Sequence, residues 1–125
     1  MLIDDNTTNQ LIAENNLKYI DSDISLTLVN SYSEARDWCQ TSTPLAIIVN
    51  ERIWSFDQNI FTFLESLTFY ASLTTVPVFI SGLAIEKSHE KKLFEYNNVK
   101  GILEAPLSLL DAATVVNMMR NLVSS

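Results

Sequence analysis

Glycine is scarce in this 125-residue chain: Gly82 and Gly101 are the only two, beside three prolines, one cysteine and one histidine. Two glycines so far apart exclude a phosphate-cradling loop and a dinucleotide fingerprint, both of which need several glycines within one turn. Cys39 alone permits no intrachain disulfide, fits a reducing compartment, and leaves no Cys/His set for zinc. Long apolar runs are missing too. The longest span about five residues (Leu45 to Val49, Val76 to Ile80), against the ~20 that cross a bilayer. The acidic N-terminus lacks the basic start and apolar stretch of a signal peptide, so a cytoplasmic location is expected. Positive charge is also short, with 8 Lys and Arg against 15 Asp and Glu and a net charge of −7. Phosphate backbones and anionic membranes are repelled on average, so neither nucleic acid nor membrane is expected as a partner. The deficit is local: residues 1–75 hold 3 basic and 10 acidic side chains, and residues 76–125 hold 5 of each.

What the chain does have is core material. A hydrophobic fraction of 47% with 18% charged residues is that of a globular protein, and the length suits one domain over residues 1–125. Five short apolar segments read as strands: Met1 to Asp4, Ile24 to Val29, Leu45 to Asn50, Val76 to Ser81 and Val99 to Glu104. The third and fourth are apolar on both faces, the pattern of strands covered by helices on both sides. Pro77 is tolerable at a strand start. The intervening segments carry helix signals. Ser31 and Glu34 form a capping box before Ala35, Trp38 and Cys39. Asp57 can cap a helix whose inner face is Ile60, Phe63, Leu64, Leu67 and Ala71. Ser108, with Asp111 three residues on, precedes Ala112, Val115, Val116, Met119 and Leu122. Five β-α alternations with buried strands call for an α/β fold, a doubly wound five-stranded parallel sheet. In such sheets the functional crevice lies at the carboxyl ends of the strands.

The residues at those ends are Asp4-Asp5, Asn50, Ser81 and Ala105-Pro106. Their types and order, together with Leu2-Ile3-Asp4-Asp5-Asn6 and Ser33-Glu34-Ala35, resemble the receiver domain of two-component response regulators over essentially the whole chain. The resemblance implies a flavodoxin-like (βα)5 fold with strand order 2-1-3-4-5. It also implies a phosphorylation pocket in which an acidic pair binds magnesium, an Asp ends the third strand as phosphoacceptor, a Ser or Thr ends the fourth, and a Lys-Pro pair, often joined by a cis bond, follows the fifth.

Two positions depart from that pattern: Asn50 stands where the acceptor Asp would be and Ala105 where the Lys would be. An amide is no useful nucleophile toward phosphoryl groups, so the pocket of Asp4, Asp5, Asn50, Ser81 and Ala105 reads as degenerate, a pseudo-receiver. The departures are coupled. Three Asp and one Lys carry −2 in the family, and Asp4 with Asp5 alone carry −2 here, so losing both partners avoids a buried ammonium short of a counter-charge. Asp4, Asp5 and the carbonyl of Asn50 can offer oxygens to Mg²⁺, yet adjacent Asp residues after a strand also serve as turn and cap residues. Weak or absent metal binding is expected, with no other cofactor.

Other residues have bland readings beside sharper ones. Arg52 can fold into the acidic pocket in place of a metal or stay solvated. Ser81 has no neighbouring base to activate it. His89, between Ile85 and Leu93 on a helical stripe, reads as packed or boundary. Cys39 reads as core. Phe61 and Phe69, with Trp54 in the preceding loop, can mark a contact site. The family's partner face, formed by the fourth helix, fifth strand and fifth helix, would include Lys87, Lys91, Lys100 and Ile102. Ile102 stands where a switchable aromatic is common. With the chain ending three residues after Leu122, no output domain is expected, and output would pass through a protein partner such as a histidine kinase, a hybrid signalling protein or a second copy. The favoured reading is a non-enzymatic signalling domain acting by protein contact. The alternatives are a switch with another acceptor (Ser81, Asp4 or Asp5) and a flavodoxin-like ligand-binding protein.

Overall fold

The computed structural model describes residues 1–53, 59–83 and 85–124. Strands β1 (Leu2–Ile3), β2 (Leu28–Val29), β3 (Ile47–Asn50), β4 (Val78–Gly82) and β5 (Val99–Glu104) alternate with helices α1 (Thr7–Ile20), α2 (Tyr32–Cys39), α3 (Ile60–Leu67), α4 (Lys87–Leu93) and α5 (Leu109–Ser124). The strands form one sheet in the order β2-β1-β3-β4-β5, and every pairing is parallel. This is the doubly wound architecture that the alternation of apolar strands and capped helices calls for.

The two-faced strands explain why. Ile47, Val49, Val78 and Ile80 point into a core completed by Tyr32 and Ala35 of α2, Phe63, Leu64 and Leu67 of α3, and Leu93 of α4. Ala46, Ile48 and Phe79 alternate with them into a second core, closed by Ala13 and Leu17 of α1 and by Ala112, Val115 and Val116 of α5. One-residue alternation along a strand therefore feeds both layers. Between β4 and β5 the register slips: Val78 faces Val99, but Phe79 faces Gly101. A Cβ at Gly101 would approach the Phe79 ring to 3.3 Å, so glycine suits the crowded step beside the irregularity.

Helix starts follow the capping signals with two adjustments. Ser31 Oγ accepts from the Glu34 amide (3.1 Å), while Glu34 Oε2 reaches back to the Asn30 amide (3.0 Å) and not to that of Ser31. For α3, the residue that caps is Asn59, whose Oδ1 accepts from the Thr62 amide; Asp57, expected in this role, lies outside the described residues. At α5, the Asp111 amide donates to Ser108 Oγ and its carboxylate accepts from the Glu104 amide. The largest departure from expectation is β2, which is confined to Leu28–Val29 where Ile24 to Val29 reads as strand. Asp21 caps α1, and its side chain accepts from the Asp23 amide while its carbonyl accepts from that of Ile24. This Asx-type turn carries the following residues away from the sheet until Thr27, whose carbonyl accepts from the Leu2 amide.

Candidate functional site

Parallel register assembles the carboxyl-end residues. Leu2 and Ile3 pair with Ile48 and Val49, and Asn50 pairs with Ser81. Asp4 thus emerges beside Asn50, with Ser81 on the far side. Asp4 is 2% exposed and its carboxylate is saturated by donors. Oδ1 accepts from the Asn6 amide (2.9 Å), while Oδ2 accepts from Asn9 Nδ2 and from Asn50 Nδ2, both at 3.2 Å. Its main-chain carbonyl accepts from Gln10 Nε2, which also reaches Asn30. A buried anion holding three N–H donors is satisfied without a cation.

Asn50 is used at both ends. Its amide nitrogen donates to Asp4, and its Oδ1 accepts from the Arg52 amide at 2.9 Å. That leaves the family's magnesium position poorly provided for. A divalent cation needs oxygens pointing inward, whereas here an NH2 group lies against Asp4 Oδ2 and the Asn50 carbonyl is engaged by the backbone. Asp5 is exposed. The donor set as arranged does not fit the ion. Among the described residues, no group of three or more His, Cys, Asp or Glu could hold a metal.

Ser81 and Ala105 close the lower side of the site. Ser81 is buried, which leaves its hydroxyl little access to a phosphoryl donor. Ala105, half-buried, joins Pro106 through a cis peptide bond. Asp4, Ser81, Ala105 and Leu107 border a gap of about 10 Å³, near the minimum for a single water.

Arg52 does not enter the acidic pocket. Its side chain is 67% exposed, with Nε 3.4 Å from Glu51 Oε1. The residue overlooked in the sequence is Glu51, whose side chain is only 7% exposed and whose Oε2 lies 3.0 Å from His89 Nδ1. That contact requires a proton on Nδ1 and ties the turn after β3 to α4. Gly82 makes room for it: a Cβ there would meet Ile85 Cγ1 at 2.7 Å and Glu51 Cγ at 3.0 Å. His89 is a boundary residue, with Phe61 edge-on to its ring at 5.0 Å. Phe61 also approaches Tyr96 and is half-buried against the core, so of the two aromatics expected to mark a contact site it offers the smaller exposed surface. Phe69 alone is exposed, at 81%, beyond the end of α3, and Trp54 lies outside the described residues.

Tyr32 was also silent in the sequence. It stacks on Phe63 (5.0 Å), and its buried hydroxyl has no hydrogen-bond partner among the described residues. Burial first, then the Asp5 and Glu51 carboxylates, push its pKa up to about 12. Cys39 is a core thiol pushed up by burial. On the expected partner face, Lys87, Lys91 and Lys100 are exposed, Lys100 Nζ donates to the Asn97 carbonyl, and Ile102 packs partly against the core.

No protein-family model and no curated protein matches the chain. Solved structures do. A two-component response regulator from Legionella pneumophila superposes with a TM-score of 0.84 at 21% identity, covering 96% of this chain and 95% of that one. The receiver domain of a Francisella response regulator gives 0.73 at 16%, covering 98% and 95%. A chemotaxis response regulator of Vibrio cholerae gives 0.78 at 13%, covering 94% of each chain. Strand order, helix placement and near-complete mutual coverage agree: the chain has the fold of response-regulator receiver domains.

Proposed function

We propose that this chain is a receiver-like signalling domain, not an enzyme, that works by protein contact and takes up no phosphate at position 50. The observation that carries the reading is the hydrogen bond from Asn50 Nδ2 to Asp4 Oδ2. Phosphoryl transfer to a side chain needs a carboxylate oxygen as nucleophile and a cation to offset the developing charge. Asn50 supplies neither, and its NH2 group takes the direction from which a cation would approach Asp4. Mg²⁺ binding is therefore weak or absent.

Output then rests on surfaces. Lys87, Lys91 and Lys100 place positive charge in the one part of the chain where acidic residues do not predominate, beside the half-buried Ile102. A histidine kinase, a hybrid signalling protein or a second copy presenting an acidic, partly apolar surface suits that face. One structural neighbour is the signal receiver domain of a histidine kinase from Syntrophus aciditrophicus, which supports such a context. Intact-mass measurement after incubation with acetyl phosphate and Mg²⁺ tests the reading. An unchanged mass is expected, and beryllofluoride should leave the amide spectrum unaltered. A stable phosphoryl adduct on the wild-type chain overturns it.

A further inference from the structure

A large cavity lies at the opposite end of the sheet from Asp4 and Asn50. It measures about 560 Å³, within the range of small-molecule sites and far larger than the gap beside Ser81. It exists because residues 21–27 turn away from the sheet after α1 instead of extending β2, leaving the edge of the α1–α5 core uncovered. Ile24, Trp38, Ile48 and Met119 are among its apolar lining, and Asp21, Asp23 and Arg120, the last two exposed, supply the charged edge that we take as its mouth.

The charges at the mouth select among occupants. Arg120 is engaged by Asp21, with Nη2 3.5 Å from Oδ2, while Asp21 Oδ1 accepts from the Asp23 amide. The Met1 amino group at the rim donates to the Ala46 carbonyl at 2.9 Å, and burial lowers its pKa to about 6, so at pH 7 it is mostly neutral. Asp23 is exposed, with its carboxylate uncommitted among the described residues. The mouth therefore presents one unopposed negative charge above an apolar chamber. We propose that this cavity is a binding site for a small apolar amine, with two or three rings in the chamber and the ammonium group against Asp23. Charge repulsion at the mouth disfavours the corresponding acid, and a neutral ring system forgoes the ion pair.

The probe is 1-naphthylmethylamine, compared with 1-naphthylacetic acid and 1-naphthylmethanol on the full chain, with amide and methyl NMR shifts as the readout. The expected result is saturable shifts at Trp38, Ile48 and Met119 for the amine, with half-saturation at or below about 1 mM. Binding should weaken about two- to fivefold in Asp23→Asn, as for an exposed ion pair, and disappear in Met119→Trp, which fills the chamber. Circular dichroism checks that both variants are folded. Asp23→Asn, a surface change, keeps the test valid if Met119→Trp does not fold. Absence of saturable shifts at these residues overturns the proposal, as does equal binding of all three probes. A concentration-dependent dimer that buries the same residues would overturn it as well, by making a second copy the occupant.

Discussion

The Asn50 amide nitrogen sits 3.2 Å from the Asp4 carboxylate, so two side chains that would both be anions in the receiver pattern are here donor and acceptor. The bond changes the chemistry of the whole carboxyl-end cluster. The Asp4 carboxylate lies buried with three N–H groups pointing at it, and there is no third carboxylate for a lysine at position 105 to balance.

Asn50→Asp removes a donor and adds a carboxylate where the amide now lies 3.2 Å from Asp4, raising at least one pKa and leaving Asp4 short of a partner. A loss of about 2–3 kcal/mol near neutral pH is expected. Mg²⁺ should restore much of it, and Asn50→Asp with Ala105→Lys should recover it without metal. Thermal melts of the four combinations, with and without Mg²⁺, measure the coupling. Additive shifts with no metal dependence would mean that positions 50 and 105 do not share a pocket.

Much of this cluster is legible from the chain alone, because strands with apolar residues on both faces leave few polar residues at their ends. Asp4, Asn50 and Ser81 stand out for that reason, and Ala105 stands out only through the resemblance, which implies a Lys in its place. Glu51 does not: one residue past a strand it reads as solvated, and only the absence of a side chain at Gly82 lets it lie inward toward His89. The short β2 was hidden likewise, since Ile24 and Leu26 alternate as a strand does, whereas the Asp21 turn sets the chain's direction before them. The half-buried state of Phe61 is not legible in its own helix because its ring partners, His89 and Tyr96, come from a distant segment.

Gly82→Ala tests the inward placement of Glu51. Its methyl would overlap Ile85 and press on Glu51, and overpacking of this kind costs about 1–3 kcal/mol. A lower melting temperature is expected, together with a displaced His89 ring resonance. An unchanged His89 spectrum in a destabilised variant would show that the Glu51–His89 contact does not depend on Gly82.

His89→Ala removes the partner of a largely buried carboxylate. Glu51 retains Arg52 at 3.4 Å, but that side chain is exposed and contributes little. A loss of about 1–2 kcal/mol in chemical denaturation is expected, and Glu51→Gln in the same background should return part of it. If the two changes are additive, the contact carries no coupling energy.

Tyr32 gives a further test of burial within the same core layer. Its hydroxyl is buried without a partner among the described residues, and its pKa is pushed up to about 12 from the usual ~10. Below pH 10 both folded and unfolded chains hold this proton, so the group contributes no pH dependence there. Between pH 10 and 12 the unfolded chain releases it while the folded chain does not, so stability falls through that window by about 3 kcal/mol for this group and levels off above it. Absorbance titration near 295 nm should show Tyr32 ionising only near pH 12, or as the fold opens. Tyr32→Phe keeps the ring stacked on Phe63 and deletes an unsatisfied hydroxyl. It should therefore leave stability at pH 7 unchanged or raise it by up to about 1 kcal/mol, and should remove the late-titrating tyrosine. A loss exceeding 1 kcal/mol at pH 7 would mean that the hydroxyl has a partner, a bound water included, and that its raised pKa has a cause other than unrelieved burial beside Asp5 and Glu51.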